Sequence, residues 1–245
     1  MFAVKIGWTH RLVYRLPQLV AYNGAVSASS AVNAVLFDYG VVLTGPPDPA
    51  AWAAMLTITG LSETEFERAY WAPRHDYDRG FLTGTEYWQA TGKQAGLELS
   101  DQHVAELIDA DNALWTGMNQ PMVDWAARLQ ATRTPTGVLS NLGDALTEGV
   151  LARQTWLSGF DHLVWSHSLK LAKPDPEIYR VAAQGFGYEP RHILFIDDRE
   201  NNVSAGIAAG MQAILYTSQI EFELELVRLG LGHLWATGIL GSGRP

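Results

Sequence analysis

The sequence predicts an α/β fold, a doubly wound parallel sheet with an inserted all-helical domain. Three observations lead to this prediction. From Thr136 onward, short apolar strands alternate with helical segments, an order typical of a parallel sheet with helices on both faces. Another buried strand, from Ala34 to Asp38, lies far upstream of this region. Between Ala50 and about Leu129 the chain contains helical segments and no convincing strand.

The composition is that of a globular protein with room for a sizeable core. Of the 245 residues, 47% are hydrophobic and 18% are charged, which is not a disordered composition. The formal net charge of −9 argues against a nucleic-acid-binding surface, and no stretch reaches the roughly 20 apolar residues that span a bilayer. The absence of cysteine excludes disulfides and thiol chemistry. We therefore expect a cytoplasmic protein whose partner is neither nucleic acid nor membrane.

The N-terminal segment differs from the rest in charge. Its first 33 residues contain no acidic residue and three basic ones, Lys5, Arg11 and Arg15. A secretory signal is one interpretation, but Pro17 and Gln18 interrupt its apolar core. The favoured interpretation is a disordered extension, or an over-long start, over residues 1–30. At the other end, residues 236–245 are expected to form a frayed tail.

The first strand and the helices after it divide the chain into two units. The strand "AVLFD" is apolar up to its last residue, as in strands buried on both faces. Five helical segments follow: "PAAWAAMLTITG", "SETEFERAYWAPR", "TGTEYWQATGKQAG", "SDQHVAELIDADNALW" and "PMVDWAARLQAT". Their large aromatic residues are expected to fill a small helical core. These aromatics are Trp52, Tyr70, Trp71, Tyr87 and Trp88.

The remaining elements alternate in type. The predicted strands are "TGVLSN", "FDHLVWS", "HILFIDD" and "QAILYT". The predicted helices are "DALTEGVLARQTWL", "KPDPEIYRVAAQGFG", "NNVSAGIAAGM" and "IEFELELVRLG". An insertion after the first strand leaves from the carboxyl edge of the sheet, so it is expected to cap a site there. We assign residues 31–44 and 125–235 to the core domain and residues 45–124 to the helical cap domain.

Polar and charged residues follow three of the predicted strands at the points where those strands end. Because the carboxyl ends of parallel strands meet at one edge, these residues are expected to share one crevice. Taken singly, each has an ordinary explanation as a turn or capping residue, but together they are much less expected by chance. They are Asp38 after the first strand, Ser140 and Asn141 after the second, Asp197 and Asp198 after the fourth, and Lys173 in "KPDP".

These residue types suit phosphoryl transfer. A carboxylate is a nucleophile that forms an acyl-phosphate and so divides one difficult reaction into two easier steps. Several carboxylates with little nitrogen ligation favour Mg²⁺, which prefers oxygen ligands. A hydroxyl and an ammonium group stabilise charge on the phosphate oxygens in the transition state. The pattern therefore predicts a magnesium-dependent site for a small phosphorylated substrate.

The ordered motifs resemble those of the haloacid dehalogenase-like hydrolase superfamily, in the branch with a helical cap after the first motif. The motifs are "VLFDYGVVLT", "GVLSN", "KPDPEIY" and "ILFIDDRENNVSAGIAAGM", and the resemblance extends from about Val32 to Thr217. The first motif alone is weak evidence, whereas the complete set in this order is specific. The resemblance implies a Rossmann-like core with the site at the carboxyl edge of its sheet.

The resemblance also implies a role for each candidate residue. Asp38 is expected to be the catalytic nucleophile, with Ser140 and Asn141 holding the phosphate. Lys173 is expected to be catalytic by stabilising charge and to contact the phosphate. Lys170 is a nearby rival, but only Lys173 precedes Pro-Asp-Pro as the pattern requires. The implied Mg²⁺ ligands are Asp38, the backbone carbonyl of Gly40, Asp197 and Asp198.

Gly40 departs from the pattern of the superfamily's phosphatases. Those enzymes usually place a second aspartate two residues after the nucleophile, where it protonates the leaving alcohol and then activates water. Loss of such a positioned group typically costs roughly 10²–10⁴-fold in rate. Another group or a water chain would then supply the proton; a substitute side chain would come from the cap, where the candidates in "RHDYDRG" are His75, Asp76 and Asp78. Each of the three also has an ordinary interpretation as a loop residue.

Three functions are compatible with this departure. The favoured one is a Mg²⁺-dependent phosphomonoesterase that hydrolyses a small metabolite, such as a sugar phosphate, through an aspartyl-phosphate. The second is a 2-haloacid dehalogenase; those enzymes carry tyrosine two residues after the nucleophile, whereas Tyr39 follows Asp38 directly. The third is a non-catalytic phosphate-binding or regulatory protein. The sequence identifies neither the substrate nor the oligomeric state.

Overall fold

A five-stranded parallel sheet forms the centre of the fold in the computed structural model, which describes residues 31–238. The strands are β1 (Ala34–Phe37), β2 (Thr136–Ser140), β3 (His162–Trp165), β4 (Ile193–Asp197) and β5 (Gln212–Leu215). Their order across the sheet is β3-β2-β1-β4-β5, and every neighbouring pair is parallel. This arrangement confirms the predicted doubly wound α/β fold. The predicted extension over residues 1–30 lies outside the described residues.

Helices separate the strands along the chain. Between β1 and β2 lie α1 (Pro49–Thr59), α2 (Glu63–Trp71), α3 (Arg74–Asp78), α4 (Gly84–Gln94), α5 (Asp101–Leu114) and α6 (Gln120–Ala131). After β2 come α7 (Asp144–Arg153), α8 (Ser166–Leu169), α9 (Pro176–Phe186), α10 (Glu200–Ala208), α11 (Gln219–Arg228) and α12 (Gly232–Thr237). The short helices α3, α8 and α12 were not distinguished in the sequence, because each is too short to show a helical period.

The sheet is covered on both faces, as the apolar strands require. Alternate residues of β1 point in opposite directions: Val35 and Phe37 join the larger core cluster, and Ala34 and Leu36 join the smaller one. The larger cluster contains residues of α6, α11 and α12, and the smaller contains residues of α9. Phe37 packs edge-on against Trp125 of α6, with ring centroids 5.4 Å apart.

The strand register brings the acidic strand ends level with one another. Phe37 of β1 pairs with Ile196 of β4, and the next amide, that of Asp38, donates to the Ile196 carbonyl at 2.8 Å. Asp38 and Asp197 therefore leave adjacent strands at the same height. The chain winds from β1 towards β3 on one side and then crosses to β4 on the other. Such a reversal of strand order opens a crevice at the carboxyl edge, where open α/β sheets bind ligands.

The inserted helices α1–α5 are joined to the sheet by two crossing segments that lie side by side. Gly45 donates to the carbonyl of Gly117 at 2.9 Å, and Asn119 donates to the carbonyl of Leu43 at 3.0 Å. Trp52, Tyr70, Tyr87 and Trp88 are buried among these helices, as predicted. Trp71 is only partly buried and faces the crevice instead.

Two of the assigned domain boundaries fall within folded elements of the structure. Helix α6 runs without a break from Gln120 to Ala131 and packs on the sheet, so it contains both residues at the predicted border between 124 and 125. At the C-terminal end, residues up to Thr237 are helical, and the carbonyl of Gly238 accepts a hydrogen bond from Thr134 Oγ1 at 3.1 Å. The predicted tail from 236 therefore begins with folded residues, and residues 239–245 lie outside the described part of the chain.

Candidate active site

The predicted site residues meet in one cleft at the carboxyl edge of the sheet. The cleft has a volume of about 90 Å³, which fits a phosphate-sized group rather than a drug-sized ligand. Asp197 lies fully buried beside it. The residues that the sheet side contributes include Asp38, Gly40, Ser140, Asn141, Lys173 and Asp198. The inserted helices and the segment after them contribute Trp71, Arg74, Asp78 and Trp115.

Asp38 is buried, and one of its two carboxylate oxygens is already bonded. Oδ1 accepts hydrogen bonds from the Tyr39 amide at 2.7 Å and from Lys173 Nζ at 2.8 Å. Burial raises the pKa of the Asp38 carboxyl to about 7, although Lys173 opposes this change and the neighbouring Asp197 and Asp198 add to it. No hydrogen bond from the described residues reaches Oδ2, which is therefore the oxygen available to a ligand.

Lys173 lies in the middle of the acidic groups. Its ammonium donates to Asp197 Oδ2 at 2.6 Å, to Asp38 Oδ1 at 2.8 Å and to the Leu139 carbonyl at 2.9 Å. Burial by itself lowers the pKa of Lys173, but the two carboxylates outweigh burial, so that its pKa is raised and the side chain stays charged. The rival Lys170 is exposed and does not line the cleft.

The two adjacent aspartates after β4 have different environments. Both oxygens of Asp197 accept hydrogen bonds, from Asn202 Nδ2 at 3.0 and 3.2 Å, from the Arg199 amide at 2.9 Å and from Lys173. Asp198 pairs with no other side chain among the described residues and is partly exposed to the cleft. Burial, and then the charge of Asp197, raise the pKa of Asp198. Asp198 is thus the freer carboxylate.

The carboxylates form a set that suits a hard divalent cation. Oxygen atoms from Asp38, Asp197 and Asp198 lie within 4.8 Å of one another. Such a set of oxygen donors without nitrogen or sulfur is the kind that Mg²⁺ prefers. Burial is the main cause of the raised pKa values of Asp38 and Asp198, and the repulsion from neighbouring carboxylates that adds to it is what a bound cation relieves. The residues present therefore fit the metal that the sequence predicts.

Ser140 and Asn141 have different environments at the end of β2. Ser140 is buried and lines the cleft, and its hydroxyl makes no hydrogen bond to any residue that the structure describes. The side chain of Asn141 bonds in both directions with the backbone of Lys173, accepting from its amide and donating to its carbonyl, each at 2.9 Å. Ser140 therefore has a hydroxyl free for a ligand, whereas the Asn141 side chain holds the loop of Lys173 in place.

The backbone at Gly40 does not require glycine. Its φ of −64° and ψ of 133° are open to any residue. A Cβ placed at Gly40 would meet its nearest neighbour, Trp115 Cζ3, at 3.8 Å, an ordinary contact distance. The unusual residue is the next one, Val41, whose φ of 61° is rare for a β-branched side chain. The absence of an acidic side chain at position 40 is therefore not imposed by steric crowding of the backbone.

Of the three candidates in the cap for the missing acid–base group, one lines the cleft. His75 and Asp76 are exposed and lie outside it, whereas Asp78 is among its lining residues. Asp78 Oδ1 accepts from Nε of the buried Arg74 at 2.9 Å. Arg74 also donates to the Tyr70 hydroxyl at 2.6 Å and lies 3.4 Å from Asp111.

Sequence reasoning missed Arg74, Trp71 and Trp115 as parts of the site. A signal for Arg74 was present, because Tyr70, Arg74 and Asp78 are spaced four residues apart. Side chains with this spacing lie on one face of a helical segment and can bond to one another. No comparable signal marks Trp115, which follows the last turn of α5. Its approach to the cleft depends on how the crossing segments fold back to the sheet.

Tyr39 lines the cleft, but its hydroxyl is already hydrogen-bonded. Its side chain is buried, and its hydroxyl donates to the Trp115 carbonyl at 3.0 Å. Its ring packs edge-on against Trp165, with centroids 6.4 Å apart. Tyr39 therefore joins the sheet to the end of the inserted helices, and it does not present a free phenol beside Asp38.

Comparison with known proteins agrees with this geometry. The family model for haloacid dehalogenase-like hydrolases matches residues 32–210, which is more than half of the chain. The chain belongs to the haloacid dehalogenase-like hydrolases. The matched region contains strands β1–β4 and the inserted helices, so the whole cleft described above falls within it.

Relatives in this family have different activities. The chain is 28% identical over 194 residues to phosphatase MT3486 of Mycobacterium tuberculosis, covering 76% of this chain and 87% of that protein. It is 29% identical over 110 residues to (S)-2-haloacid dehalogenase of Pseudomonas putida, covering 45% of this chain and 48% of that enzyme. The chain therefore matches most of the length of the phosphatase but only about half of the dehalogenase.

Solved structures show the same fold. The family enzyme bt-2542 of Bacteroides thetaiotaomicron, in complex with magnesium and inorganic phosphate, superimposes with a TM-score of 0.59 at 19% identity. The match covers 77% of this chain and 96% of that one. In the part of the chain that the structure describes, no helix combines the length and apolar character needed to cross a membrane.

Proposed function

We propose that this hydrolase is a Mg²⁺-dependent phosphomonoesterase that acts on a small phosphorylated metabolite in the cytoplasm. The observation that carries the proposal is the arrangement around Asp38. Its unbonded oxygen shares a cleft of about 90 Å³ with the free hydroxyl of Ser140 and the free carboxylate of Asp198. A nucleophile, a hydroxyl and a cation ligand in so small a space suit a phosphate group.

The metal would be held by Asp38, by Asp198 and by the backbone carbonyl of Gly40, while Asp197 orients Lys173. When bound, Mg²⁺ supplies positive charge that reduces the repulsion between the Asp38 carboxylate and the incoming phosphate. Asp197 suits the orienting role because both of its oxygens are already bonded. In this assignment Asp198 is a metal ligand, and Asp197 holds Lys173 in position.

Asp38 performs the first chemical step in this proposal. Its free oxygen attacks phosphorus and forms an aspartyl-phosphate as the bond to the alcohol breaks. Ser140 donates a hydrogen bond to a phosphate oxygen, and Lys173 stabilises the negative charge that spreads over those oxygens. Hydrolysis of the aspartyl-phosphate then releases inorganic phosphate and restores Asp38.

The comparisons support the phosphatase proposal more than the dehalogenase alternative. A phosphatase matches 76% of this chain and 87% of its own length, and a protein of the same fold has been crystallised with magnesium and phosphate. The curated (S)-2-haloacid dehalogenase of Pseudomonas putida matches about half of its own length. Solved L-2-haloacid dehalogenase structures match 86% of theirs with TM-scores of 0.58 and 0.59, so the fold alone does not separate the two functions. The buried Tyr39 and the cluster of carboxylates are features that a metal-independent dehalogenase does not need.

The test combines a substrate panel with a nucleophile variant. Wild-type protein is assayed against sugar phosphates and other small phosphomonoesters, with Mg²⁺ and with a chelator, and against 2-haloacids. We expect Mg²⁺-dependent phosphate release that Asp38→Asn abolishes while circular dichroism is unchanged. Asp76→Asn is the matched control, because Asp76 is an exposed aspartate outside the cleft.

Three results would contradict the proposal. Halide release that continues in the presence of chelator would identify a dehalogenase. Binding of Mg²⁺ and phosphate without turnover of any phosphoester would identify a non-catalytic phosphate-binding protein. Phosphatase activity retained by Asp38→Asn would rule out the covalent mechanism.

A further inference from the structure

We propose that Asp78 is the general acid and base of this phosphatase, in the role that Gly40 has no side chain to fill. The inference rests on the proposed phosphatase function. Displacement at phosphorus places the attacking and leaving oxygens roughly in line, on opposite sides of phosphorus. With Asp38 at the sheet edge, the leaving oxygen faces the residues opposite the sheet that line the cleft.

Four described residues line the cleft opposite the sheet: Trp71, Arg74, Asp78 and Trp115. Only one of them carries a group that exchanges protons readily. The two indoles do not exchange protons at neutral pH, and the guanidinium of Arg74 stays charged, because the neighbouring acidic groups outweigh the effect of its burial and raise its pKa. Asp78 is the remaining candidate to protonate the leaving oxygen.

The backbone of Asp78 is bound to the loop that carries the proposed phosphate site. The Ser166 hydroxyl donates to the Asp78 carbonyl, and Ser166 Oγ in turn accepts a hydrogen bond from the Leu142 amide at 3.0 Å. Leu142 follows Ser140 and Asn141 on the loop after β2. The preceding residue, Tyr77, accepts a hydrogen bond at its hydroxyl from the Leu146 amide at 3.1 Å. Helix α3 is thus fixed to the sheet side beside the cleft.

Burial shifts the Asp78 carboxyl towards its protonated form, and the charged groups around it act in both directions. Arg74 is shared between Asp78, at 2.9 Å, and Asp111, at 3.4 Å. Asp111 also accepts from the Tyr70 hydroxyl at 2.8 Å, so it is the better stabilised carboxylate of the two. Burial raises the pKa of Asp78, while Arg74 and Arg199 oppose this and Asp111 adds to it. The Asp78 side chain is 17% exposed and uses only one oxygen for Arg74.

The proton balance of the reaction follows from this placement. The Asp78 carboxyl gives its proton to the leaving oxygen as the bond from Asp38 to phosphorus forms and the bond to the alcohol breaks. The resulting Asp78 carboxylate takes a proton from water while the water oxygen bonds to phosphorus. The bond between phosphorus and Asp38 then breaks, phosphate leaves, and Asp78 is protonated again.

The first experiment compares leaving groups in the Asp78→Asn variant in the presence of Mg²⁺. For an alkyl phosphate that the wild-type enzyme hydrolyses, we expect phosphoenzyme formation to slow by about 10²–10⁴-fold. For p-nitrophenyl phosphate, whose leaving group needs no proton, the burst of p-nitrophenol should keep its wild-type rate. Labelled phosphoenzyme should then accumulate, because the base for its hydrolysis is missing. Asp76→Asn, the exposed neighbour on the same helix, should behave as wild type.

A second experiment uses the space at Gly40. Because a Cβ there meets only Trp115 Cζ3, at 3.8 Å, the double variant Gly40→Asp/Asp78→Asn should recover part of the lost alkyl phosphatase rate. A purely structural role of Asp78 would give no such recovery. A third measurement needs no variant: in the wild-type enzyme, a general acid makes the rate of phosphoenzyme formation depend only weakly on leaving-group basicity.

The outcomes separate this inference from the proposed function. No phosphatase activity in the wild-type enzyme would refute the proposed function itself. Wild-type activity combined with equal losses on both leaving groups, or with no loss in Asp78→Asn, would refute the role of Asp78 alone. If Asp78→Asn does not fold, a steep dependence on leaving-group basicity in the wild-type enzyme would refute that role.

Discussion

Residues in and beside the cleft differ in how many of their polar atoms are already hydrogen-bonded to other protein groups. Lys173 has three acceptors for its three N–H groups, and both oxygens of Asp197 are bonded. Ser140 and Asp198 retain free polar atoms that face the cleft. Lys173 and Asp197 therefore fix the positions of the side chains around the cleft, and Ser140 and Asp198 are suited to contact a ligand.

The raised pKa of Asp38 predicts how pH and Mg²⁺ act on stability. The Asp38 carboxyl has a pKa of about 7 in the folded protein and its ordinary value of 3.8 when unfolded. Between these values only the unfolded chain loses the proton, so the metal-free protein loses stability as pH rises through this range. A cation needs the ionised carboxylate. We therefore expect Mg²⁺ to raise the midpoint of thermal unfolding more at about pH 8 than at about pH 5.5.

Thermal unfolding scans with and without Mg²⁺ at the two pH values check this expectation. In Asp198→Asn the stabilisation by Mg²⁺ should largely disappear, because the freer carboxylate has been removed. An equal shift at both pH values would contradict the assigned linkage between the proton and the metal.

The sequence was sufficient to predict which residues meet but not how they bond. Asp38, Ser140 and Asp198 could be placed together because parallel strands end at one edge. The different environments of Asp197 and Asp198 could not be predicted, since neighbouring residues at a strand end point in opposite directions and the sequence letters are identical. Asp78 could not be separated from His75 and Asp76 either, because the choice depends on how α3 docks on the sheet side.

Individual elements hold the site through close packing on the sheet. Helix α10 follows Asp197 and Asp198 and packs against β4 at Gly206. A Cβ at Gly206 would lie 2.9 Å from Cδ1 of the buried Phe195. Glycine at this position therefore allows the helix to approach the strand that carries Asp197.

Gly206→Ala tests the importance of this close approach. Alanine favours helix by about 1 kcal/mol over glycine, but the overlap with Phe195 should outweigh this gain. We expect a net loss of about 1–3 kcal/mol in the free energy of unfolding. Urea denaturation measures the change. The control is Gly117→Ala, at an exposed glycine with no atom within 4 Å of a new Cβ, where a change beyond about 0.5 kcal/mol is not expected. A stabilised Gly206→Ala would contradict the packing argument.

Elements with a clear local sequence signal were predictable, and the shortest helices were not. β1 and β4 have continuous apolar runs. Helix α9 is capped by Asp175 before its first residue, Pro176, and by Gly187 in a left-handed conformation after its last, which are standard start and stop signals. Helix α12 has only six residues and begins at a glycine. It is stabilised by tertiary contacts, such as the bond from Trp125 Nε1 to the Leu234 carbonyl at 2.9 Å. Such contacts leave no periodic signal in the sequence.

Across the whole molecule, one core cluster continues from the inserted helices to the far side of the sheet. It contains Leu107 of α5, Phe37 of β1 and Leu234 of α12, all fully buried. Tyr39 and Leu43 belong to the same cluster and lie where the chain crosses between the two parts. A shared core of this kind favours cooperative unfolding of both parts together.

We therefore expect Leu107→Ala and Leu234→Ala each to lower one common unfolding transition. Each substitution should cost about 2–5 kcal/mol, the usual range for a buried leucine. Calorimetry, together with near-ultraviolet circular dichroism, monitors the transition. Ile220→Ala is the control, since Ile220 is 71% exposed. Two separate transitions, with Leu107→Ala affecting only one of them, would show that the inserted helices unfold independently.

The paired crossing segments have a consequence for the ancestry and engineering of this chain. Because Thr44 and Met118 form a bridge, the insertion leaves and rejoins the sheet layer at nearly one point in space. A module of any length whose two ends are equally close could occupy that point without disturbing the strand register. The helical unit is therefore exchangeable in principle, and a chimaera would acquire new substrate selectivity, provided that the replacement module brings a carboxyl to the place of Asp78 for the proposed proton transfer.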